Sequence, residues 1–106
     1  MAENPKISRE DLRIILAEVY KKNNFKMLLH LKNNESESVK RIAGKMDETS
    51  ANTSRILGVL HEIGLVGKGQ DIQDAREQHY FLTELGRKIM NETDTISKKF
   101  IEDINS

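Results

Sequence analysis

The sequence predicts a mainly α-helical domain that carries one small β-hairpin, and three observations support this. Apolar residues recur at helical spacing in five stretches. Ser or Thr stands ahead of three of those stretches, where an N-cap belongs. Only Leu65-Val66 and the alternating Tyr80 and Leu82 read as strands. At 106 residues the chain fits one domain, 1–106, with a single modest core. Charged residues make up 32% and hydrophobic residues 37%, the balance of a soluble folded chain rather than a disordered one.

The first helix is expected over 8–22. Ser8 and Asp11 have capping-box spacing, and Ile7 and Leu12 have that of a hydrophobic staple. Leu12, Ile15, Leu16, Val19 and Tyr20 form its stripe. Asn23-Asn24 interrupts the pattern, and a second helix follows with Phe25, Leu28, Leu29 and Leu31 inward. The polar run Asn33-Asn34-Glu35-Ser36 ends it. Ser38 caps a short helix whose inward positions are Val39, Ile42, Ala43 and Met46. A turn at Asp47-Glu48 leads to the N-cap Thr49, with Asn52 placed to bond back to the open backbone. The next helix sets Thr53, Ile56, Leu57, Leu60 and Ile63 on one side, with Asn52, Arg55, Gly58, Val59 and Glu62 on the other. Gly64 stops it. The stretch GKGQDIQDAREQ carries no core signal and reads as a protruding loop. After Thr83 a helical region covers 87–106, with Ile89, Ile96, Phe100 and Ile104 inward. Asn91-Glu92-Thr93-Asp94 weakens it, so one bent helix and two helices are both open readings.

From Ser38 to Gly86 the order is helix, turn, helix and hairpin: a winged helix-turn-helix core over 24–86, flanked by two terminal helices. Such a motif suits entry into DNA, with its second helix in the major groove. The hairpin spelling, Asp74-Ala75-Arg76 followed by Leu82-Thr83-x-x-Gly86, resembles the multiple-antibiotic-resistance (MarR) family of winged-helix regulators over roughly residues 25 to 90. The resemblance implies a homodimeric transcriptional repressor of double-stranded DNA, relieved by a small anionic or aromatic effector near the dimer junction. It also implies that Arg76 lies in the minor groove, braced by Asp74. Ala75 stands where the family often has a second arginine, and Asp71 and Glu77 add charge that repels phosphate.

On the second helix of the motif, Ser50, Asn52, Ser54 and Arg55 occupy the outward N-terminal positions. Arg grips guanine O6 and N7 there, and Asn grips adenine N6 and N7. Lys68 and Arg76 are the cations of the wing. Gly58 exposes backbone at a cost of about 1 kcal/mol relative to Ala, which a closely approaching surface would explain. The stripes Leu12, Ile15, Leu16, Val19 and Ile96, Phe100, Ile104 exceed what so small a domain covers, and a symmetric second copy is the expected partner.

Other classes find little support. His30, His61 and His79 fall on three elements and cysteine is absent, so no metal-ligand spacing, disulfide or thiol sensor is expected. No nucleophile elbow, phosphate loop or paired carboxylates point to an enzyme, and no cofactor is expected. No apolar run reaches the ~18 residues of a membrane span, and the N-terminus lacks the apolar core of a secretory signal. A cytoplasmic protein is therefore expected. Lys+Arg and Asp+Glu both number 17, and residues 39–88 carry 8 basic against 7 acidic side chains. DNA contact would therefore rest on a few placed cations. Near-zero charge suits a winged-helix module that binds protein, and it suits an architectural chromatin binder poorly.

Overall fold

The computed structural model describes residues 7–70 and 78–105. Its elements run α1 (Arg9–Val19), α2 (Lys22–Asn33), β1 (Glu37–Ser38), α3 (Val39–Met46), α4 (Ser50–Glu62), β2 (Val66–Gln70), β3 (Gln78–Leu82) and α5 (Glu84–Asn105). The three strands form one antiparallel sheet in the order β1-β3-β2. Val66 pairs with Leu82 and Lys68 with Tyr80, while Glu37 and Ser38 pair with Tyr80 and His79. The hairpin of the sequence reading is thus a three-stranded sheet. Glu37-Ser38 is too short to show alternation, and it is a strand only because β3 offers it an edge.

Helix starts follow the capping chemistry. The Ser8 hydroxyl accepts from the Asp11 N–H at 3.0 Å, and the Ser38 hydroxyl accepts from the Arg41 N–H at 3.2 Å. The break between α1 and α2 falls at Tyr20-Lys21 rather than at Asn23-Asn24. Asn24 lies in the first turn of α2, buried, and its amide donates to the Glu18 carbonyl at 2.9 Å and to the Glu18 carboxylate at 3.2 Å. It satisfies the open C-terminus of α1 from the next helix, a use of asparagine that chain order alone does not reveal. Tyr20 and Phe25 stack across the same corner, ring centroids 6.3 Å apart.

The core draws on every helix and on the sheet: Ile15, Val19, Met27, Leu28, Leu31, Ile42, Ile56, Leu57, Leu60, Leu65, Val66, Tyr80, Leu82, Ile89 and Met90. On α2 the inward set is Met27, Leu28 and Leu31, with Phe25 half-buried. Leu29, expected inward, is exposed. Residues 84 to 105 form one continuous helix, so Asn91-Glu92-Thr93-Asp94 does not divide it. Tertiary contact explains why. Thr93 is buried, and Asp94 meets Lys32 of α2 at 3.4 Å and Lys98 of its own helix at 3.2 Å. The hydrogen bond from Lys98, aided by the charge of Lys32, holds the Asp94 carboxyl below the usual carboxylate range. From Ile96 onward every described residue of α5 is exposed.

Candidate nucleic-acid interface

The recognition-helix candidate is α4, and both of its boundaries are set by backbone geometry. The turn before it closes α3 with Asp47 in the left-handed region at φ 54°. The Glu48 N–H donates to the Ala43 carbonyl at 2.9 Å and the Asp47 N–H to the Gly44 carbonyl at 3.4 Å, the paired bonds of a Schellman stop. Asp tolerates this conformation better than most residues with a Cβ. At the far end Gly64 adopts φ 86°, and the Gly64 and Leu65 N–H groups donate to the His61 and Leu60 carbonyls at 3.0 and 2.9 Å, the same motif again.

The face of α4 that packs inward is Thr53, Ile56, Leu57 and Leu60. Ser50, Ser54, Arg55 and Gly58 are exposed, and a Cβ added at Gly58 would meet open space. Asn52 is half-buried. Its backbone N–H donates to the Thr49 hydroxyl at 3.1 Å, so the cap runs from Asn52 to Thr49 through the main chain. The Asn52 side chain does something else. Its Oδ1 accepts from Arg55 Nε at 3.1 Å and from Arg55 Nη2 at 2.8 Å. Two bonds to one oxygen fix the guanidinium plane before any partner arrives. In this structure the Asn52 Oδ1 acceptor is thus engaged by Arg55. Residue spacing showed that the two share a face; only the three-dimensional placement showed that they are bonded.

The wing root explains the Leu-Thr-x-x-Gly spelling physically. The Thr83 N–H donates to the Leu65 carbonyl at 3.1 Å, and its hydroxyl donates to the Gly64 carbonyl at 2.6 Å. The same hydroxyl accepts the Gly86 N–H at 3.1 Å and so caps α5. One threonine thereby ties the end of α4, the start of β2 and the start of α5 together. Gly86 passes directly over the Leu65 backbone, where a Cβ would collide with the Leu65 carbonyl oxygen. Farther out, the Phe81 ring covers Gly67 on the paired strand, filling the space that a side chain there would need. Lys68 is exposed on β2. Asp74 and Arg76 lie outside the described residues.

The two expected partner stripes divide unequally. Ile15 and Val19 are buried in the chain's own core and Leu16 is half-buried against it, so Leu12 is the part of that stripe that stays exposed. Ile14, outside that stripe, and Ile7, expected only as a staple, are exposed as well. On α5, Ile96, Phe100 and Ile104 are all about 63% exposed, and Ile101 adds a fourth apolar side chain at 57%. Helical periodicity tells which residues share a face but not whether that face meets the chain's own core or something else.

Among the described residues no helix is long and apolar enough to cross a membrane, and no three His, Cys, Asp or Glu side chains form a group that could hold a metal. His30 Nε2 instead lies 3.7 Å from Glu37, joining α2 to β1.

No protein-family model and no curated protein matches the chain. Solved structures do match. The Staphylococcus aureus MepR–DNA complex superposes with a TM-score of 0.78 at 19% identity, over 92% of this chain and 81% of that one. A transcriptional regulator homologue protein from Pyrococcus horikoshii OT3 gives 0.75 at 19%, over 92% and 99%. A Lactococcus lactis ZitR mutant gives 0.71 at 21%, over 80% of this chain and 57% of that one. At these identities the likeness is one of architecture, and it agrees with the element order, the capped helix-turn-helix and the tied wing root: the chain has the winged helix-turn-helix fold of these regulators.

Proposed function

We propose that the chain is a sequence-specific double-stranded DNA-binding transcriptional regulator that acts as a homodimeric repressor in the cytoplasm. The observation that carries this reading is the outward face of α4, where Arg55 is held by Asn52 with two bonds among the small exposed residues Ser50, Ser54 and Gly58. Small residues let a helix approach base edges closely, and a fixed guanidinium loses little freedom on binding. The likeness to MepR, which was crystallised with DNA, supports the same orientation of the motif. The homodimer rests on the exposed apolar residues of the first and last helices. The chemistry assigned to the chain is recognition, without catalysis or a cofactor. A small-molecule effector is the input that the sequence resemblance suggests, and no residue marks its site.

Titration of wild type and Arg55→Ala against a selected duplex and a random one tests the reading. If Arg55 reads a base, the variant loses about 1–3 kcal/mol on the selected duplex and much less on the random one. An equal loss on both assigns Arg55 to a phosphate. Unchanged binding on both would remove α4 from the interface.

The wing makes a second contribution in this reading, with Arg76 entering the minor groove and Asp74 bracing it. A narrow minor groove concentrates negative potential, so a single arginine there has a disproportionate effect. Arg76→Ala should lower affinity more than Asp74→Ala does. Two variants that bind like wild type would show that the wing reads nothing.

A further inference from the structure

One cleft of about 400 Å³ lies beside α4 rather than on it, lined by Glu18, Lys21, Lys22, Asn23, Asn24, Arg55, Ile56 and Val59. It joins the α1–α2 corner to the flank of the recognition helix. Arg55 belongs to both surfaces: it is on the exposed face of α4 and it forms one wall of the cleft.

The charges in the cleft are not balanced. Glu18 is its one carboxylate, and it is already engaged, by Lys21 Nζ at 2.8 Å and by the buried Asn24 amide at 3.2 Å. Lys22 and Arg55 make no ion pair among the described residues, and the only partner of Arg55 there is the neutral Asn52 amide. Asn23 adds an exposed amide at the rim. In a chain whose net formal charge is zero, two cations without an ion pair among the described residues make this cleft locally basic. Its position next to the face that would meet base edges makes a backbone phosphate the matching anion.

We propose that this cleft is a phosphate-binding site, in which Lys22 and Asn23, on the wall opposite Arg55, hold a DNA backbone phosphate at the edge of the major groove occupied by α4. The inference rests on the DNA-binding reading and adds a contact outside both the helix-turn-helix and the wing. Lys22 anchors the phosphate and sets the tilt of α4 without reading sequence. It would also explain how a neutral chain holds a polyanion: one cation from α2 supplements the few on α4 and β2.

The test uses the intact chain and a fluorescent random-sequence duplex, titrated at several salt concentrations. Lys22→Gln removes the charge and keeps the helix. Lys22→Arg keeps the charge. Lys99→Gln makes the same charge change on the exposed tail of α5 and controls for bulk electrostatics. Each lost phosphate contact should weaken binding roughly threefold to tenfold at moderate salt and lower the log–log salt slope by about 0.9, hence by about 1.8 for the two copies of Lys22 in a homodimer. The expected result is that Lys22→Gln shows this, equally on random and selected duplexes, while Lys22→Arg and Lys99→Gln match wild type and all melt alike. If Lys22→Gln keeps the wild-type slope while wild type binds duplex, the inference falls and the DNA reading stands. If wild type binds no duplex at all, both fall. A parallel NMR titration with inorganic phosphate at constant ionic strength separates the two sources of the anion. Saturable shifts of the Lys22 and Asn23 amides at submillimolar phosphate would assign the cleft to a free anion and overturn the backbone assignment.

Discussion

Gly86→Ala should unfold much of the protein's margin of stability, whereas Gly58→Ala, the same substitution in another helix, should add to it. Both glycines are helical, and intrinsic propensity favours alanine by about 1 kcal/mol at each. At Gly58 a Cβ meets open space, so propensity decides and the variant should gain about that amount. At Gly86 the Cβ would collide with the Leu65 carbonyl oxygen and crowd the Leu82 side chain at 3.3 Å. That carbonyl cannot retreat freely, because it accepts the Thr83 N–H at 3.1 Å and sits between two fixed elements. Relief requires α5 to shift against the sheet, which should cost about 3 kcal/mol after the propensity gain is included. For a domain of this size that corresponds to a fall in melting temperature of roughly 12–20 °C. Urea denaturation of the two variants checks it, and a Gly86→Ala protein as stable as wild type would refute the close packing of α5 on the wing root. Gly58→Ala carries a second expectation: if DNA approaches α4 closely there, the stabilised variant should bind it more weakly.

The double substitution Phe100→Ala and Ile104→Ala should act on association and leave folding unchanged. Both side chains are more than 60% exposed and contribute nothing to the core of the single chain. In the proposed symmetric dimer each is buried twice, at about 1.5–3 kcal/mol for a fully buried large side chain. Removing them should therefore raise the dimer dissociation constant roughly a hundredfold or more. DNA affinity should fall with it, since a single half-site gives up the second set of phosphate contacts. Sedimentation at micromolar concentration measures this directly. A wild-type chain that sediments as a monomer there would overturn the dimer and with it the paired half-sites.

The architecture was legible from local chemistry wherever that chemistry acts within a few residues. Ser8, Ser38 and Thr49 cap the helices they precede, and Gly64 ends α4 at positive φ. The inward set Thr53, Ile56, Leu57 and Leu60 follows from a 3.6-residue period, because a helix's own geometry carries that information. The same holds for the outward Ser50, Ser54 and Arg55. Where the reading stopped short, the deciding contact was a side-chain or strand pairing that periodicity does not encode, whether near or far along the chain. Glu37-Ser38 becomes a strand by pairing with residues more than forty positions away. Asn24 looks like a helix breaker and is a buried cap for the preceding helix. Asn91 to Asp94 look like a second break, yet Lys32 and Lys98 hold Asp94 in place within one continuous helix.

What the sequence determined by itself is therefore the presence of the first four helices, the capped starts of α1, α3 and α4, the glycine stop of α4 and the face that α4 turns outward, since each depends on neighbours within one or two turns. What only the tertiary structure decided is how these surfaces are used. It buried Ile15 and Val19 in the chain's own core and left Ile96, Phe100, Ile101 and Ile104 bare. It bonded Asn52 to Arg55, made Thr83 the junction of three elements, and placed Lys22 across a cleft from Arg55. Periodicity records which residues share a side; which side meets which depends on distances between elements, and no local pattern carries those.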